Sequence, residues 1–205
     1  MHSAAILAGG GATRFGGRDK SALVVDGATM LDRQLDALAP VTDDVMIVGR
    51  DVAQGFQPCG HSPGRAAPRL VADIVPGCGP LGGLHAALTA MRGDALFLIA
   101  CDMPYVSSGL IAHLFSLAGG ADVVVPRSER GYHPLCAVYT RACLEPAAAQ
   151  IAERRLTMRD LVDRMRTRVV PIEEIRRFGD PDRLLANVNT PADYAGLESL
   201  QGHKL

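Results

Sequence analysis

Glycines and basic residues that suit a phosphate site lie close together near the start of the chain. They are Gly9, Gly10, Gly11, Arg14 and Lys20. Since glycine has no Cβ, backbone N–H groups in such a loop can close around an anion. An arginine can donate two parallel hydrogen bonds to phosphate oxygens, and a lysine adds a point charge. The pattern predicts a binding loop for a phosphorylated ligand, and a tight turn without a ligand is the alternative.

Two common nucleotide-binding motifs do not fit this loop. A Walker A loop has the pattern GxxxxGK[ST], whereas Lys20 follows Asp19 rather than a glycine. A dinucleotide-binding GxGxxG motif that starts at Gly9 would need its third glycine where the chain has Arg14. The apolar run at residues 45–48 also ends without the acidic residue that contacts ribose in dinucleotide-binding folds. The loop is therefore neither of these motifs, and a phosphate-binding loop of another class is predicted, with the tight turn as the alternative.

A carboxylate and a second glycine-rich turn follow later apolar runs. Asp102 comes just after the strongly apolar residues 95–100. A carboxylate at the tip of a buried strand is costly unless it is solvated, paired or bound to a metal. Since Mg²⁺ is often held by one or two carboxylates and substrate phosphates, Asp102 is a candidate Mg²⁺ ligand. A turn or cap residue is the alternative. Gly79 and Pro80 open a helical pattern, and a helix start presents backbone donors to a ligand.

Two asparagines near the end of the chain form a further candidate site. Asn187 and Asn189 alternate in a segment that reads as extended, so their side chains would point to the same side. Amides both donate and accept hydrogen bonds, which suits the mixed edge of a heterocyclic ligand. The alternative is that they only fix the turn before the helix predicted over residues 190–200.

Apolar runs and helical patterns alternate along the chain, and these predicted strands and helices must position the candidate site residues. Strands are predicted over residues 3–8, 45–48, 95–100, 122–125, 134–139 and 168–171. Helices are predicted after Thr29, after the turn at residues 76–83, after Ser107, and over residues 141–151, 157–165 and 190–200. A surface loop is predicted over residues 55–68. The βαβα order predicts a mostly parallel sheet with helices on both faces, whose carboxyl edge binds ligands.

Composition limits the classes of protein. The chain has 205 residues with 48% hydrophobic residues, which suits a single globular domain. A formal net charge of −1 gives no electrostatic reason to expect nucleic acid or a membrane as a partner. The five cysteines show no CxxC spacing, so reduced thiols are expected. With neither a signal sequence nor a membrane span in the pattern, we expect a cytoplasmic protein.

The first loop also carries a resemblance to a known family. The sequence LAGGGATRFGGRDKSAL resembles the signature loop of nucleotidyltransferases that make nucleotide sugars and nucleotide cofactors. Within them it is similar to the molybdenum cofactor guanylyltransferases, whose loop runs LAGGxxxRMGGxDKxL, with Phe15 in place of Met. The segments GPLGG, CDMPY, HPLCAVY, ERR and NVNTP resemble later family motifs, so the resemblance runs from Leu7 to Pro191. It implies a three-layer α/β/α sandwich of the nucleotide-diphospho-sugar transferase type, with a Rossmann-like, mostly parallel sheet.

The resemblance implies a reaction and a role for each candidate residue. GMP would pass from GTP to molybdenum-bound molybdopterin with Mg²⁺ as cofactor, which releases pyrophosphate. The implied GTP contacts are Leu7, Ala8, Gly9, Gly10, Lys20, Asp73, Gly79, Pro80, Leu81 and Asp102. The implied catalytic residues are Arg14, Lys20 and Asp102, with Asp102 as the metal ligand. The implied contacts to the pterin acceptor are His133, Arg155, Asn187 and Asn189. Because a phosphate nucleophile is already ionised near neutral pH, His133 is expected to be structural or to contact the acceptor.

One domain over residues 1–205 is expected, with nucleotide binding over about residues 1–105 and acceptor binding over about residues 106–205. We expect a monomer that makes transient contacts with other proteins of molybdenum cofactor synthesis or insertion. The family often has an asparagine near the end of the second strand, where this chain has Val48-Gly49-Arg50. This departure bears on the preference for guanine. The alternatives are a cytidylyltransferase for the same cofactor, a sugar-1-phosphate nucleotidyltransferase and a non-catalytic nucleotide-binding module, which should lack a metal carboxylate such as Asp102.

Overall fold

The computed structural model describes residues 1–8, 24–49 and 67–188. The strands are β1 (His2–Leu7), β2 (Val24–Val25), β3 (Ala28–Thr29), β4 (Asp44–Val48), β5 (Arg69–Val71), β6 (Ala95–Ala100), β7 (Val123–Ser128), β8 (Gly131–Tyr132), β9 (Cys136–Thr140) and β10 (Thr167–Pro171). The helices are α1 (Met30–Leu38), α2 (Gly79–Ala90), α3 (Ser108–Ser116), α4 (Leu144–Ala152), α5 (Met158–Arg164), α6 (Ile172–Ile175) and α7 (Pro181–Leu184). The helix predicted over residues 190–200 and most of the loop predicted over residues 55–68 lie outside the described residues.

The main sheet has the strand order β10-β7-β9-β6-β1-β4-β5, with β8 paired to β7. All of these pairings are parallel except those of β9 with β6 and β7 and that of β8 with β7, so the prediction of a mostly parallel sheet is confirmed. The carboxyl ends of β1, β4, β5, β6, β7 and β10 consequently lie along one edge. Strands β2 and β3 form a separate hairpin.

Helices cover both faces of the sheet, as predicted. Alternate residues of a strand face opposite sides, so Ile6 and Leu7 of β1 enter different cores. Ile6 packs in a core with residues of α1 and α3, and Leu7 packs in a core with residues of α2, α4 and α5. The result is the expected three-layer α/β/α sandwich. Among the described residues, no helix has the length and apolar character needed to cross a membrane.

Several helices begin where the sequence places an N-cap residue. The Thr29 hydroxyl accepts a hydrogen bond of 3.0 Å from the Asp32 N–H at the start of α1. Ser107 accepts one of 3.3 Å from the Leu110 N–H at the start of α3, and Thr157 caps α5 in the same way. Each cap satisfies a backbone donor that the first helical turn leaves unpaired.

Two predicted boundaries differ from the structure for local reasons. The strand predicted over residues 134–139 begins two residues later, because a turn hydrogen bond of 3.0 Å joins the Cys136 N–H to the His133 carbonyl. The helix predicted over residues 141–151 begins with a single 3₁₀ turn, Arg141–Cys143, before α4 starts at Leu144.

Candidate active site

The strand ends that carry the predicted nucleotide site are joined by backbone hydrogen bonds. The Cys101 N–H donates to the Leu7 carbonyl at 3.2 Å, which joins the exit of β6 to the end of β1. The Ala8 N–H donates to the Val48 carbonyl at 2.8 Å, which joins the exit of β1 to β4. The chain therefore leaves β1 toward the predicted glycine-rich loop right beside Cys101 and Asp102. Gly9, Gly10, Arg14 and Lys20 lie outside the described residues.

Asp102 meets the C-terminal part of the described chain. The Asn187 amide nitrogen donates to Asp102 Oδ1 at 3.2 Å. The Val188 N–H donates to the Asp102 backbone carbonyl at 2.7 Å. Asp102 is half-buried and Asn187 is exposed, so the two polar side chains meet at the edge of the fold. The structure thus joins a candidate metal ligand to a candidate acceptor contact, whereas the other candidate amide, Asn189, lies outside the described residues.

A buried amide holds the turn on which Asp102 lies. Gln34 of α1 is fully buried, and its Nε2 donates to the carbonyl oxygens of Ala100 at 2.7 Å and Met103 at 3.0 Å. These two carbonyls flank Asp102 in sequence. Gln34 was missed by the sequence analysis. The available signal is its position between Leu31 and Leu35, because a polar residue on the apolar face of a helix needs a buried partner.

The start of α2 lies close to the end of β1. A Cβ placed on Gly83 would come within 2.7 Å of Leu7 Cδ2, so glycine allows this approach. Gly79 has a φ of +58°, a left-handed conformation that glycine adopts readily. Pro80 lies in the first turn, and Cys78 at the N-cap makes no side-chain cap hydrogen bond. Backbone donors of this helix start therefore face the carboxyl edge of the sheet.

The remaining predicted GTP contacts near α2 differ in burial. Leu81 is fully buried in the core, so only its backbone can contact a ligand. Gly79 and Pro80 are exposed, and Asp73, in the loop after β5, is half-buried. This side of the site therefore offers backbone groups and one carboxylate.

His133 stabilises the hairpin at the end of β7. Its backbone N–H donates to the Pro126 carbonyl at 2.9 Å, and its Nε2 lies 2.8 Å from the Ser128 hydroxyl. Burial lowers the pKa of His133 below its usual value, and the charge of Arg130 lowers it further. The lowered pKa and the two hydrogen bonds describe a histidine that is held in the hairpin.

Arg155 follows the end of α4, a helix that packs against α2. Arg141 donates to the carbonyls of Met91 at 3.2 Å and Gly93 at 3.1 Å, which places the start of α4 beside the end of α2. Helix α4 packs against α2 and ends at Ala152. Arg155 follows that end, where its guanidinium forms an ion pair with Glu153.

A tight turn precedes Arg155. Arg154 has a φ of +58°, which is left-handed and uncommon for a residue other than glycine. The fully buried Gln150 donates from Nε2 to the carbonyls of Arg155 at 3.2 Å and Thr157 at 3.4 Å. A helix end of this kind holds the backbone on both sides of the exposed arginine.

Acidic and metal-binding groups are sparse at the described part of the edge. The described ranges contain no cluster of three or more His, Cys, Asp or Glu side chains that could hold a metal. A Mg²⁺ ion bound together with substrate phosphates needs only one or two protein carboxylates. Asp102 at the β6 tip meets that requirement.

This fold, with a carboxylate at the tip of a central strand and a glycine-rich segment after β1, is that of a nucleotidyltransferase. The chain belongs to the family of MobA-like NTP transferase domains, whose sequence profile matches residues 4–169.

Individual relatives agree with this assignment. A protein of Desulfosudis oleivorans named molybdenum cofactor guanylyltransferase is 33% identical over 95% of this chain and 93% of its own length. The crystal structure of molybdopterin-guanine dinucleotide biosynthesis protein A from Archaeoglobus fulgidus superimposes with a TM-score of 0.79 and 24% identity, covering 98% of this chain and all of that chain. A Mycobacterium tuberculosis protein solved in complex with manganese has the same fold, with a TM-score of 0.62, 18% identity, and coverage of 96% and 97% of the two chains.

Proposed function

We propose that this protein transfers GMP from GTP to molybdenum-bound molybdopterin, which gives the molybdopterin guanine dinucleotide cofactor and pyrophosphate. The observation that carries the proposal is the hydrogen bond between Asp102 and Asn187, which joins a strand-tip carboxylate to the C-terminal segment. The relative from Desulfosudis oleivorans, named molybdenum cofactor guanylyltransferase, aligns over nearly the whole chain.

Asp102 is proposed to hold the divalent cation. Its carboxylate has several lone pairs, so the hydrogen bond from Asn187 is compatible with a metal bond to the same group. Mg²⁺ is the proposed ion, since it binds carboxylates together with phosphate oxygens. When bound, Mg²⁺ supplies positive charge that stabilises the negative charge on the reacting phosphates. The manganese complex of the Mycobacterium tuberculosis protein supports a divalent ion in this fold.

The transfer itself needs positioning and charge stabilisation more than proton transfer. A terminal phosphate oxygen of molybdopterin forms a bond to the α-phosphorus of GTP, and the bond from that phosphorus to the leaving pyrophosphate breaks. The phosphate nucleophile is already ionised at neutral pH, so the transfer needs no general base and His133 is not assigned that role. Arg14 and Lys20 are proposed to neutralise charge on the α-phosphate and on pyrophosphate.

The guanine end of GTP is proposed to lie at the start of α2. The Asp73 carboxylate can accept hydrogen bonds from the guanine N–H groups, and backbone N–H groups near Gly79 and Leu81 can donate to its O6 or N7. Leu7, Ala8, Gly9, Gly10 and Pro80 complete the proposed nucleotide contacts.

The acceptor is proposed to lie on the other side of Asp102. Asn187 and Asn189 would contact the pterin edge, while His133 and Arg155 would contact the rest of the acceptor. Arg155 is exposed at the surface, which supports its inclusion. Residues 1–105 would therefore bind mainly GTP, and residues 106–205 mainly the acceptor.

Pyrophosphate release tests the proposal. The purified protein is incubated with Mg²⁺ and each of ATP, CTP, GTP and UTP, with and without molybdopterin. We expect release with GTP only when molybdopterin is present. Preference for CTP would identify a cytidylyltransferase instead. A parallel incubation with a sugar 1-phosphate in place of molybdopterin tests the other alternative, because release only in that incubation would identify a sugar nucleotidyltransferase.

The surroundings of the protein are proposed from the sequence. We propose a monomer in the cytoplasm that contacts other proteins of molybdenum cofactor synthesis or insertion transiently. Size-exclusion chromatography with light scattering tests the monomeric state, and a mass near twice 21.6 kDa would contradict it.

A further inference from the structure

Four side chains from separate parts of the chain meet around one tyrosine ring. They are Asp26 in the turn of the β2–β3 hairpin, Arg33 on α1, Tyr105 after β6 and Arg183 on α7, and we call them the Tyr105 cluster. The guanidinium carbon of Arg183 lies 4.4 Å from the centroid of the Tyr105 ring, and that of Arg33 lies 5.2 Å from it. Asp26 Oδ2 lies 3.3 Å from Arg183 Nη2 and 3.5 Å from Arg33 Nη1.

Charge and geometry in this cluster complement each other. An arginine over an aromatic ring is attracted by the negative face of the ring, and a carboxylate compensates the second positive charge. Tyr105 is only 8% exposed, so the interaction is shielded from water on the ring side. Asp26 has a φ of +49° and precedes Gly27 at +80°, the conformation of a tight hairpin turn. The hairpin, α1 and α7 are thereby fixed to the segment that follows β6.

The Tyr105 cluster continues directly into the candidate active site. Val188 is 2% exposed and packs with Val25, Met30 and Tyr105 in one small apolar group. The Val188 N–H donates to the Asp102 carbonyl, and the Asn187 amide donates to the Asp102 carboxylate. Arg183 precedes Asn187 by four residues in the same segment of the chain. An ion pair between residues 157 positions apart therefore fixes the segment that meets Asp102.

We propose that the Tyr105 cluster is a positioning element that holds the segment after α7 so that Asn187 and Val188 meet Asp102. Arg183 and Asp26 contact neither nucleotide nor acceptor in this proposal, and they act through Asn187. The effect expected on acceptor binding rests on the proposed guanylyltransferase function, whereas the effect expected on the backbone does not.

The test compares Arg183→Gln, Asp26→Asn and the double variant with a matched control. The control is Arg166→Gln, because Arg166 forms an ion pair with Asp122 at the same distance of 3.3 Å but at the amino edge of the sheet. Hydrogen exchange reports the protection of the Val188 amide. We expect this amide to exchange faster in all three cluster variants and at the wild-type rate in the control.

Steady-state kinetics give the second readout. We expect the KM for molybdopterin to rise about fivefold in Arg183→Gln, as for loss of one partly exposed ion pair, with the KM for GTP unchanged. Because both residues act through one contact, the double variant should be no worse than Arg183→Gln alone. Arg183→Lys, which keeps the charge near Asp26 but loses the flat guanidinium, should lie between wild type and Arg183→Gln. It also serves as the test variant if Arg183→Gln does not fold.

The outcomes are distinguishable. Unchanged exchange at Val188 in the cluster variants would overturn the proposal, as would an equal rise of both KM values. If the wild-type protein releases no pyrophosphate from GTP and molybdopterin, the proposed function fails, while the exchange measurement still decides the role of the cluster.

Discussion

Replacement of Gln34 by methionine tests whether the hydrogen bonds from Gln34 are needed to position the turn that carries Asp102. Methionine has a similar shape and volume, so Gln34→Met removes the two hydrogen bonds and leaves little cavity. Those bonds run from Nε2 to the carbonyls of Ala100 at 2.7 Å and Met103 at 3.0 Å. The fully buried Gln150 supplies a matched control, because its Nε2 also donates to two backbone carbonyls, at the far end of α4.

The expected loss of stability follows from the partners that remain. The Ala100 carbonyl keeps a hydrogen bond of 3.2 Å from the Met103 N–H. Losing the second hydrogen bond to this carbonyl, the one from Gln34, therefore costs only about 0.5–1.5 kcal/mol. Among the described residues the Met103 carbonyl accepts no other hydrogen bond, and leaving such a buried acceptor unsatisfied costs about 1–3 kcal/mol. Gln34 Oε1 has no hydrogen-bond partner within the described part of the chain, so its removal offsets part of this cost. We expect a net loss of about 1–3 kcal/mol, or roughly 2–4 °C in Tm for each kcal/mol.

The assay separates stability from function. Thermal unfolding should show similar losses for Gln34→Met and Gln150→Met, since Gln150 Oε1 also lacks a partner among the described residues. When pyrophosphate release is titrated with Mg²⁺, Gln34→Met alone should need about three- to tenfold more Mg²⁺ to reach its half-maximal rate. Equal Mg²⁺ dependence in both variants would refute the reasoning that Gln34 orients Asp102.

Three further predictions concern other parts of the fold. Gly83→Ala would place its Cβ 2.7 Å from Leu7 Cδ2, so the Leu7 side chain must shift, while the greater helix preference of alanine offsets about 1 kcal/mol of that cost. We expect thermal melting to show a net loss of up to about 2 kcal/mol, and a higher Tm would contradict the close approach. Burial alone would raise the pKa of Asp44, but hydrogen bonds led by that of Arg69 hold it below its usual value. Asp44 therefore adds stability above its unfolded pKa, and this stability is lost as the pH falls through the folded value. The free energy of unfolding, measured between about pH 2 and 7, should depend less on pH in Asp44→Asn than in the wild type. An identical pH profile for the two proteins would contradict this. Asn187→Ala should raise the KM for molybdopterin several-fold and leave the KM for GTP unchanged, whereas equal losses would indicate a general disturbance.

Much of the fold could be predicted because its signals are local. The apolar residues of β1 and β6 and the N-cap residues Thr29 and Ser107 specify strands and helix starts from neighbouring sequence alone. Strand β5 could not be found in this way, since Arg69–Val71 is three residues long and gives no period. The β2–β3 hairpin has the Asp26-Gly27 turn signal, but its two-residue strands give too short a pattern.

Side-chain partners in the site depended on contacts that the sequence does not encode locally. Asp102 was predicted from its place after an apolar strand, which any parallel sheet brings to the ligand edge. Its contact with Asn187 joins residues 85 positions apart, and the Gln34 bonds to its turn span 66 and 69 positions. Such contacts follow from how α1 and the C-terminal segment pack on the sheet. The roles of Arg14, Lys20 and Asn189 remain predictions from the sequence.

The most direct test of the central claim is the rate of pyrophosphate release by Asp102→Asn with GTP, molybdopterin and Mg²⁺. Asparagine keeps the size of Asp102 and an oxygen that can accept the hydrogen bond from Asn187, but it removes the negative charge that would hold the cation. The account predicts a rate at least about 100-fold lower at an unchanged Tm, as for loss of several kcal/mol of transition-state stabilisation. A variant that releases pyrophosphate at the wild-type rate, with the same dependence on Mg²⁺, would contradict it.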